Sequence, residues 1–406
     1  MLLRVKVLLL LIATFMMRPT AFGQNLSSLA MVLSLGAVYF HMVEQSILKN
    51  VRFTRHIQFV LVVSIVMWVY FFAHAGVQGG MHFEFVIKAA VAHIVILFSF
   101  ALVLSDERAN QKYFRGFIFT LMAFVISYYI SLLLTTVVPW ESLYLFKINV
   151  ETYDQTGKTY FPFTILYSFI EMPGLNLPRL LGLFREAGIF QAFLIWAIFS
   201  LESYNLDRKW IQIVLFLGVG ATLSTSGLAI YFVALAMRYF FNRRGLKAIM
   251  IFAFMFYAAF FAPFIGLNDK SEKLGASVTD RSDATWEGLR LFMENPFGTG
   301  MYNEGYNNAD QLGINLLSSS YMIGIIGILL VLIIYFATVF WVEDKAQYLV
   351  AVTPLFLTLL ISQPVLDAPL FYIMLMAAYK KKPSEPKLPL EQKMIWQEAR
   401  APVARQ

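Results

Sequence analysis

The segment EFVIKAAVAHIVILFSFALVLS, residues 84–105, decides how this chain folds. Its interior is almost entirely apolar, and its only ionisable residues are Lys88 and His93. A helix of this length spans about 33 Å at about 1.5 Å per residue, which is enough to cross the hydrocarbon core of a bilayer. The segment is therefore predicted to be a membrane-spanning helix.

The composition of the whole chain points to the same environment. Of its 406 residues, 59% are hydrophobic and 14% are charged, whereas soluble domains average about 45–50% apolar and about 25% charged residues. The chain has no cysteine, which excludes disulfides, thiolate metal ligands and a cysteine nucleophile. All histidines lie in the first quarter of the chain, so no later loop carries a histidine of its own for a triad or a metal site.

Similar apolar runs predict about twelve membrane-spanning helices. Residues 210–241 are too long for one span, and the polar stretch 222–227 indicates a tight turn between two short helices. A cleaved signal peptide is the alternative for the first run, but Arg18 favours a retained helix. The predicted spans are 5–17, 27–44, 57–76, 84–105, 116–138, 187–201, 210–225, 227–241, 247–264, 318–341, 347–362 and 365–379.

The positions of lysine and arginine predict the orientation of these spans. With the N-terminus inside, 22 of the 32 Lys and Arg residues fall on the cytoplasmic side, where every loop is short. Both termini are therefore predicted to be cytoplasmic. Residues 1–379 form one transmembrane domain in this interpretation, and the Pro-, Lys- and Glu-rich residues 380–406 are predicted to be a disordered tail.

Two long connections, 139–186 and 265–317, lie on the predicted outer face. Loops much longer than about 15 residues are commonly functional or disordered. These two contain aromatic residues and amphipathic stretches, so we expect folded caps that carry short helices. The predicted fold is all-α, a polytopic helical bundle with two large periplasmic loops.

Four arginines stand in these loops, although the outer side of a membrane protein is usually poor in positive charge. A guanidinium presents a planar fork of donors that matches phosphate, which predicts an anion site at the outer surface. The alternative is that the side chains reach lipid headgroups or pair with nearby carboxylates. The four are Arg179, Arg185, Arg281 and Arg290.

The first loop ends in the segment NLPRLLGLFREAG, residues 176–188. If this segment is helical, Arg179, Gly182 and Glu186 share one face, and Gly182 leaves room for a ligand between the other two. Arg185 points elsewhere on such a helix and is expected to contact headgroups or protein.

The second loop contains the segment TDRSDATWEGLRLFMENPFGTG, residues 279–300. Asp280 and Asp283 resemble a capping box, so a helix is predicted to begin there and to end at Asn295–Pro296. Arg281 then lies at the helix N-terminus, where backbone N–H groups favour an anion. Arg290 faces the opposite side of the same helix and cannot serve the same phosphate.

Other ionisable groups carry weaker signals. Lys88 and His93 are costly when they face lipid, so they are expected either to have a functional or paired role or to face the bundle interior. Asp367 is predicted to start a helix rather than to act in catalysis. The sequence has no recognisable glycine-rich phosphate loop or acidic metal-binding pair, and neither a metal nor a soluble cofactor is expected.

Three motifs in this order resemble the Wzy family of O-antigen and exopolysaccharide polymerases, which is related to the O-antigen ligases. The first is RLLGLFRE, residues 179–186, similar to R-x-x-G-x-F-x-E-P, with Ala187 in place of the proline. The second is LSTSG, residues 223–227, similar to T-x-S-x-G, without the arginine that often follows. The third runs from Arg281 through NPFGTG, residues 295–300, to the glycines of the span that begins near Ser320.

The resemblance implies a membrane glycosyltransferase in a bacterial inner membrane, with its active site on the periplasmic face. Its donor and acceptor would both be oligosaccharide repeats linked to undecaprenyl pyrophosphate, and a separate chain-length regulator is an expected partner. Arg179 and Arg281 would stabilise the leaving lipid pyrophosphate. Glu186 would accept the proton of the acceptor hydroxyl, with Asp283 as the alternative.

Further substrate contacts are assigned to Arg185, Asp283, Arg290 and Ser226. Three rival functions remain: a ligase, a flippase or other transporter, and a structural or receptor membrane protein, for which buried loop arginines would have no purpose. A ligase would transfer finished glycan to another acceptor, but ligases place a histidine in the second loop, where this chain has none. A flippase for lipid-linked oligosaccharide needs charges through several spans, and few are present.

Overall fold

Long apolar helices dominate the computed structural model because a helix satisfies its own backbone where no water is available. The structure describes residues 1–23, 25–48, 53–78, 83–150, 155–166, 169–172, 175–261, 275–302, 315–362 and 365–380. Within these residues, six helices are long and apolar enough to cross a membrane. The chain is therefore a helical membrane protein, and the number of twelve spans stays a prediction.

Most helices coincide with the predicted spans. The six long ones occupy Ser27–Ser46, Arg55–Val77, Phe83–Leu104, Glu107–Leu134, Ala187–Tyr204 and Ser320–Trp341. The helices in chain order are α1 (Leu2–Phe15), α2 (Ser27–Leu48), α3 (Arg55–Val77), α4 (Phe83–Leu104), α5 (Glu107–Leu134), α6 (Ala187–Ser200), α7 (Lys209–Ala221), α8 (Thr225–Phe241), α9 (Gly245–Phe261), α10 (Gly275–Glu294), α11 (Ser320–Phe336), α12 (Lys345–Ile361) and α13 (Pro369–Met374).

The break predicted within 210–241 is confirmed. Helix α7 ends at Ala221 and α8 begins at Thr225, and Leu223 between them has a left-handed backbone with φ of 51°. The connection is tight, as expected for two short helices joined by small polar residues.

The last predicted span, 365–379, is wrong as a continuous helix. Only α13 is helical, and residues 376–380 have no regular secondary structure although Met376, Ala377 and Tyr379 are buried. Neighbouring side chains satisfy its backbone instead: Asn110 Nδ2 donates to the Met376 carbonyl at 2.9 Å, and the Ala378 N–H donates to the Tyr204 hydroxyl at 3.1 Å. The apolar composition of residues 365–379 indicated that the segment is buried. Burial alone does not distinguish a helix from another buried conformation.

The first long loop is a β structure, so the predicted short helices there are wrong except for one 3-10 turn, Trp140–Leu143. Three antiparallel strands pair in the order β1 (Tyr144–Val150), β2 (Gln155–Tyr160) and β3 (Thr164–Leu166), and β4 (Phe169–Met172) pairs with β5 (Leu175–Pro178). The sheet packs on the end of α5, where the Ser131 hydroxyl donates to Thr164 Oγ1 at 2.8 Å. The fold is therefore helical with a small β cap.

A glycine-rich junction joins the second loop to α11. The Thr299 and Gly300 N–H groups donate to the carbonyls of Tyr321 and Met322 at 2.8 and 3.0 Å. Gly324 interrupts the helix with φ of 65° and ψ of −179°, and a side chain there would collide with the Phe297 carbonyl. Only glycine suits this backbone and this close approach.

A group of buried charged residues lies at the end of the bundle where α1 begins, opposite the end that carries the two long loops. The Lys6 ammonium is fully buried and lies 2.6 Å from Glu44 and 3.0 Å from Asp106. The same ammonium lies 3.0 Å from His41 Nδ1. Side chains from α1, α2 and the start of α5 are thus tied together, and the cation occupies the space between two carboxylates.

Candidate functional site

The candidate site lies at the end of the bundle that carries the two long loops, which we call the loop-bearing end. There, the residues that follow α1 pair with the residues that precede α6. The Arg185 N–H donates to the Pro19 carbonyl at 3.2 Å, and the Ala21 N–H donates to the Leu183 carbonyl at 2.8 Å. Arg18 and Arg185 therefore lie on two segments that are hydrogen-bonded to each other.

Arg179 belongs to the same region. It follows strand β5, and its Nε donates to the Thr222 carbonyl in the α7–α8 turn at 3.1 Å. The neighbouring Leu180 N–H donates to the Ala221 carbonyl at 3.0 Å. The first motif of the family resemblance thus contacts the residues that immediately precede the second.

The helical arrangement proposed for residues 176–188 is wrong. The segment leaves β5, turns at Gly182 with φ of 59°, and becomes helical only after Glu186, the residue that precedes α6. Gly182 leaves no room for a ligand, because a Cβ atom there would lie 3.0 Å from Phe190 and 3.2 Å from Phe124. The glycine permits the turn and close packing of the aromatic rings.

Arg185 is more deeply placed than the sequence suggested. It keeps only 7% of its surface accessible, so it is not a headgroup contact on an exposed helix face. Glu186 is half-buried and adjoins it directly in the chain. Both residues precede α6 and Glu186 has an extended backbone, so the predicted single helix face shared by Arg179 and Glu186 is not formed.

Ser226 lies at the start of α8, where its hydroxyl is 3.2 Å from the Ser224 hydroxyl. Gln191 of α6 reaches the same turn, and its Nε2 lies 3.3 Å from the Val219 carbonyl. A Cβ atom on Gly227 would collide with the Gln191 amide. The glycine of the second motif is thus explained by this close approach between α6 and α8.

In the second loop, Arg281 does not lie at a helix N-terminus. Helix α10 already includes Gly275, five residues before the predicted start, so Arg281 lies in the helix interior, and its side chain lies outside the described residues. Asp283 is exposed on the same helix. The predicted end of this helix at Asn295 is confirmed.

Arg290 pairs locally on the exposed surface of α10. Its guanidinium is 2.6 Å from Glu287 and 2.5 Å from Glu294. The hydrogen bond from Arg290 lowers the pKa of the Glu287 carboxyl, and the Glu287 hydrogen bond in turn raises the pKa of the arginine. These contacts agree with the structural alternative that was kept open for the loop arginines.

Sequence reasoning missed a buried cluster around Asp367. Arg18 Nη1 donates to Asp367 Oδ2, and the Tyr302 hydroxyl donates to the same oxygen at 2.8 Å. Asp367 is 9% exposed and precedes α13, whose N-terminal cap is Ala368. The only available signal was one acidic residue inside an apolar run, and the sequence interpretation assigned it to a helix start.

A histidine also lies beside the second loop, although none occurs within it. His74, in the last turn of α3, stacks on Tyr70 with ring centroids 5.3 Å apart. A Cβ atom on Gly298 would lie 3.0 Å from His74 Cε1, so the ring and the glycine junction are in close contact. The fold thus places a histidine beside the second loop, although the sequence of that loop contains none.

The two ionisable residues of α4 have different environments. His93 is buried with its ring between Trp68 and Tyr372, at centroid distances of 4.9 and 4.8 Å, so the interior alternative is correct for it. Lys88 is 72% exposed and lies 4.0 Å from Glu84, so it is paired with a carboxylate and the interior alternative is wrong for it.

Among the described residues, one group has the geometry of a possible metal site, namely His41, Glu44 and Asp106 at the opposite end. Their ligand atoms lie within 4.8 Å of one another, and the Lys6 ammonium lies among them. The lysine supplies the positive charge that a cation would otherwise provide. This cluster therefore acts as an internal ion-pair network.

No protein family, curated protein or solved structure matches the chain. What the site can do must therefore follow from its own chemistry. The loop-bearing end combines three guanidinium groups, Arg18, Arg179 and Arg185, with the carboxylates Glu186 and Asp367. Such a set suits an anionic substrate from which a proton is removed.

Proposed function

We propose that the chain is a polymerase of oligosaccharide repeats linked to undecaprenyl pyrophosphate, acting on the periplasmic face of a bacterial inner membrane. A hydroxyl of the acceptor repeat attacks the anomeric carbon of the donor glycan. Lipid pyrophosphate leaves with the electron pair of the broken bond. Membrane helices suit this reaction because both substrates carry long apolar tails.

One observation carries the proposal: arginines cluster at the end of the bundle where a membrane protein is expected to have few. Arg185 is almost fully buried there, and Arg179 is held against the α7–α8 turn. Guanidinium groups fixed in a poorly hydrated site can stabilise the charge that develops on a leaving pyrophosphate. Arg281 retains its proposed role in the same step.

Proton removal needs a carboxylate in the same region. Glu186 is the candidate that the sequence provides, and its position beside Arg185 supports it. Asp283, the alternative base, is exposed on α10, which makes it better suited to contact sugar hydroxyls than to act in a dry site.

The proposal is tested in a strain that lacks the chain and is complemented with variants. Arg179→Ala and Arg281→Ala are expected to abolish long polymer while the single-repeat glycolipid and the protein level remain unchanged. Removing a preorganised donor that stabilises developing negative charge lowers the rate about 10²–10³-fold. Such a loss is enough to remove the series of polymer bands, the ladder, from a gel. Gel profiles of surface glycan, with immunoblots of the protein, provide the measurement.

Arg238→Ala is the matched control, because Arg238 pairs with Glu202 at the opposite end of the bundle. Its ladder should equal that of the unaltered chain. A full ladder in both loop variants would contradict the pyrophosphate role, and a ladder lost equally in the control would show that the assay reports folding.

A ligase is the second candidate, and His74 is the observation that favours it. The absence of a histidine from the second loop counted against this function, yet His74 contacts the glycine junction of that loop. The two functions differ in the acceptor. A ligase would leave lipid-linked polymer to accumulate when it is deleted, whereas loss of a polymerase leaves single repeats.

A further inference from the structure

The Asp367 carboxylate is held in a fixed orientation at the candidate site. Both hydrogen-bond donors that reach its side chain from the described residues, Arg18 and Tyr302, contact the same oxygen, Oδ2. Oδ1 accepts no hydrogen bond from any residue that the structure describes. One oxygen is thus anchored, and among the described residues Oδ1 is the oxygen left to face a hydroxyl donor.

Three separate parts of the chain build this arrangement. Arg18 follows α1, Tyr302 ends the glycine-rich segment of the second loop, and Asp367 precedes the buried helix α13. Tyr302 adopts a left-handed backbone with φ of 60°, an uncommon conformation for a non-glycine residue. Asp367 enters α13, as the sequence predicted, and these contacts in addition fix the orientation of its carboxylate.

The cluster adjoins the arginines of the proposed function. The Pro19 carbonyl, next to Arg18, accepts the Arg185 N–H at 3.2 Å. Aromatic contacts join the same two segments. The ring centroid of Phe193 lies 5.1 Å from that of Phe371 in α13 and 4.9 Å from that of Phe184. Asp367 therefore lies close to the segment that carries Arg185.

We propose that Asp367, rather than Glu186, accepts the proton of the attacking hydroxyl, and that Arg18 and Tyr302 are its positioning residues. The acceptor O–H transfers its proton to Asp367 Oδ1 as the oxygen forms a bond to the anomeric carbon. The bond between that carbon and the lipid pyrophosphate breaks, and its electron pair leaves with the pyrophosphate oxygen. The proton then passes from Asp367 to water. This assignment rests on the proposed polymerase function.

The test uses the purified full chain in nanodiscs and the lipid-linked repeat that accumulates in a strain lacking the chain. Asp367→Asn keeps the size of the side chain but removes its basicity, so kcat should fall about 10²–10⁴-fold with little change in KM. Tyr302→Phe removes one hydrogen bond and should lower kcat about 2- to 10-fold. Glu186→Gln should lower kcat by a smaller factor than Asp367→Asn, because Glu186 lies in the site but does not take the proton.

Formate rescue separates chemistry from folding. Asp367→Ala leaves space for a small carboxylate, and added formate should restore part of its kcat, which a structural role would not allow. Asp106→Asn is the matched control, because it also removes a buried carboxylate paired with a cation, but at the opposite end. Its kcat per folded molecule should equal that of the unaltered chain.

The outcomes distinguish the two proposals. Polymerisation by the unaltered chain with an undiminished kcat in Asp367→Asn would overturn the role of Asp367 and leave the polymerase intact. A loss in Asp367→Asn without formate rescue of Asp367→Ala, and in proportion to unfolded protein, would also overturn it. An unaltered chain that makes no polymer would overturn the proposed function, and the assignment with it.

Discussion

Burial separates the arginines of the two long loops into different classes. An arginine whose guanidinium is satisfied by neighbouring carboxylates at an exposed surface contributes little to binding or stability. Arg290 is of this kind, because Glu287 and Glu294 occupy its donors on the surface of α10. Arg185, at 7% exposure, lies where little water screens its charge, so its guanidinium would act strongly on a substrate anion.

Substitution of Arg290 and Arg185 should therefore give opposite results. We expect Arg290→Ala to leave the glycan ladder unchanged, since it removes only contacts within α10. Arg185→Ala should shorten or abolish the ladder at an unchanged protein level. Ladders scored side by side, normalised to membrane protein, provide the measurement, and equal ladders in the two strains would be inconsistent with the assignment.

At the opposite end, Asp106 links stability to pH. Burial alone would raise the pKa of its carboxyl, but the hydrogen bond and the positive charge of Lys6 outweigh burial and hold the pKa below the ordinary value of 3.8. A carboxylate with a lowered folded-state pKa stabilises the fold at pH values above the ordinary pKa. That contribution is lost as the pH falls through the lowered pKa.

Asp106→Asn should lower the free energy of unfolding at pH 7 by about 1–3 kcal/mol, because Lys6 stays buried with one carboxylate fewer. The variant should also lack the part of the acid destabilisation that Asp106 causes. Thermal unfolding in detergent, followed by tryptophan fluorescence as a function of pH, measures both effects.

Asp344→Asn is a suitable control for this pH experiment. Asp344 also precedes a helix and accepts a backbone N–H, from Gln347, and asparagine caps helices about as well as aspartate. An unfolding temperature for Asp106→Asn no lower than that of Asp344→Asn would show that the Lys6 pair does not stabilise the fold.

Among the elements, the junction between residues 295–300 and α11 depends most on backbone shape. Gly298 and Gly324 approach so closely that a Cβ atom on Gly298 would lie 2.7 Å from the Gly324 nitrogen. The Tyr70 hydroxyl of α3 also stabilises the junction, because it donates a hydrogen bond to the Ile323 carbonyl at 3.0 Å. The second loop is thereby anchored to the membrane helices a few residues before Tyr302.

Gly324→Ala should abolish activity and lower the yield of folded protein. Its backbone conformation costs a non-glycine residue about 1–3 kcal/mol, and the collision with Phe297 adds to this. Gly220→Ala, in α7, is the control, because a Cβ atom there meets nothing within 4 Å. It should be neutral or stabilising by about 0.5–1 kcal/mol. Equal yields from size-exclusion chromatography would contradict this account.

The elements show what the sequence can and cannot predict. Hydropathy located nearly every helix, because length and apolar content are local properties that a bilayer requires. The β cap was missed, since only antiparallel pairing between strands such as β1 and β2 makes that polar, aromatic stretch regular. The irregular segment at Met376 depends on donors from α3 and α5 that no local pattern reveals.

The site was predictable to a similar extent. Arg179, Arg185 and Glu186 were singled out from charge in an unexpected place, and the structure brings them to one end of the bundle through a turn rather than through a helix. The sequence predicted only a helix start at Asp367 and offered no histidine for the second loop. Both residues were missed because the partners of Asp367 and His74 lie far away in the sequence. Contacts between distant segments are the part that pattern reading cannot supply.

For the whole molecule, orientation is the first quantity to test. The chain has no cysteine, so a single introduced thiol reports only its own position. Trp286→Cys, at a side chain that is 71% exposed, and Ser142→Cys should react with a membrane-impermeant maleimide in spheroplasts. Asn242→Cys, between α8 and α9, should react only after permeabilisation. The reverse pattern would place the arginine cluster on the cytoplasmic side.

Turnover of lipid-linked repeats by the purified chain in liposomes, with release of undecaprenyl pyrophosphate counted against glycan length, tests the central claim most directly. We predict one lipid pyrophosphate released for each repeat added, with release reduced by at least about 10²-fold in Arg179→Ala. Single repeats that remain unjoined with the unaltered chain, or equal release from the arginine variant, would contradict the account.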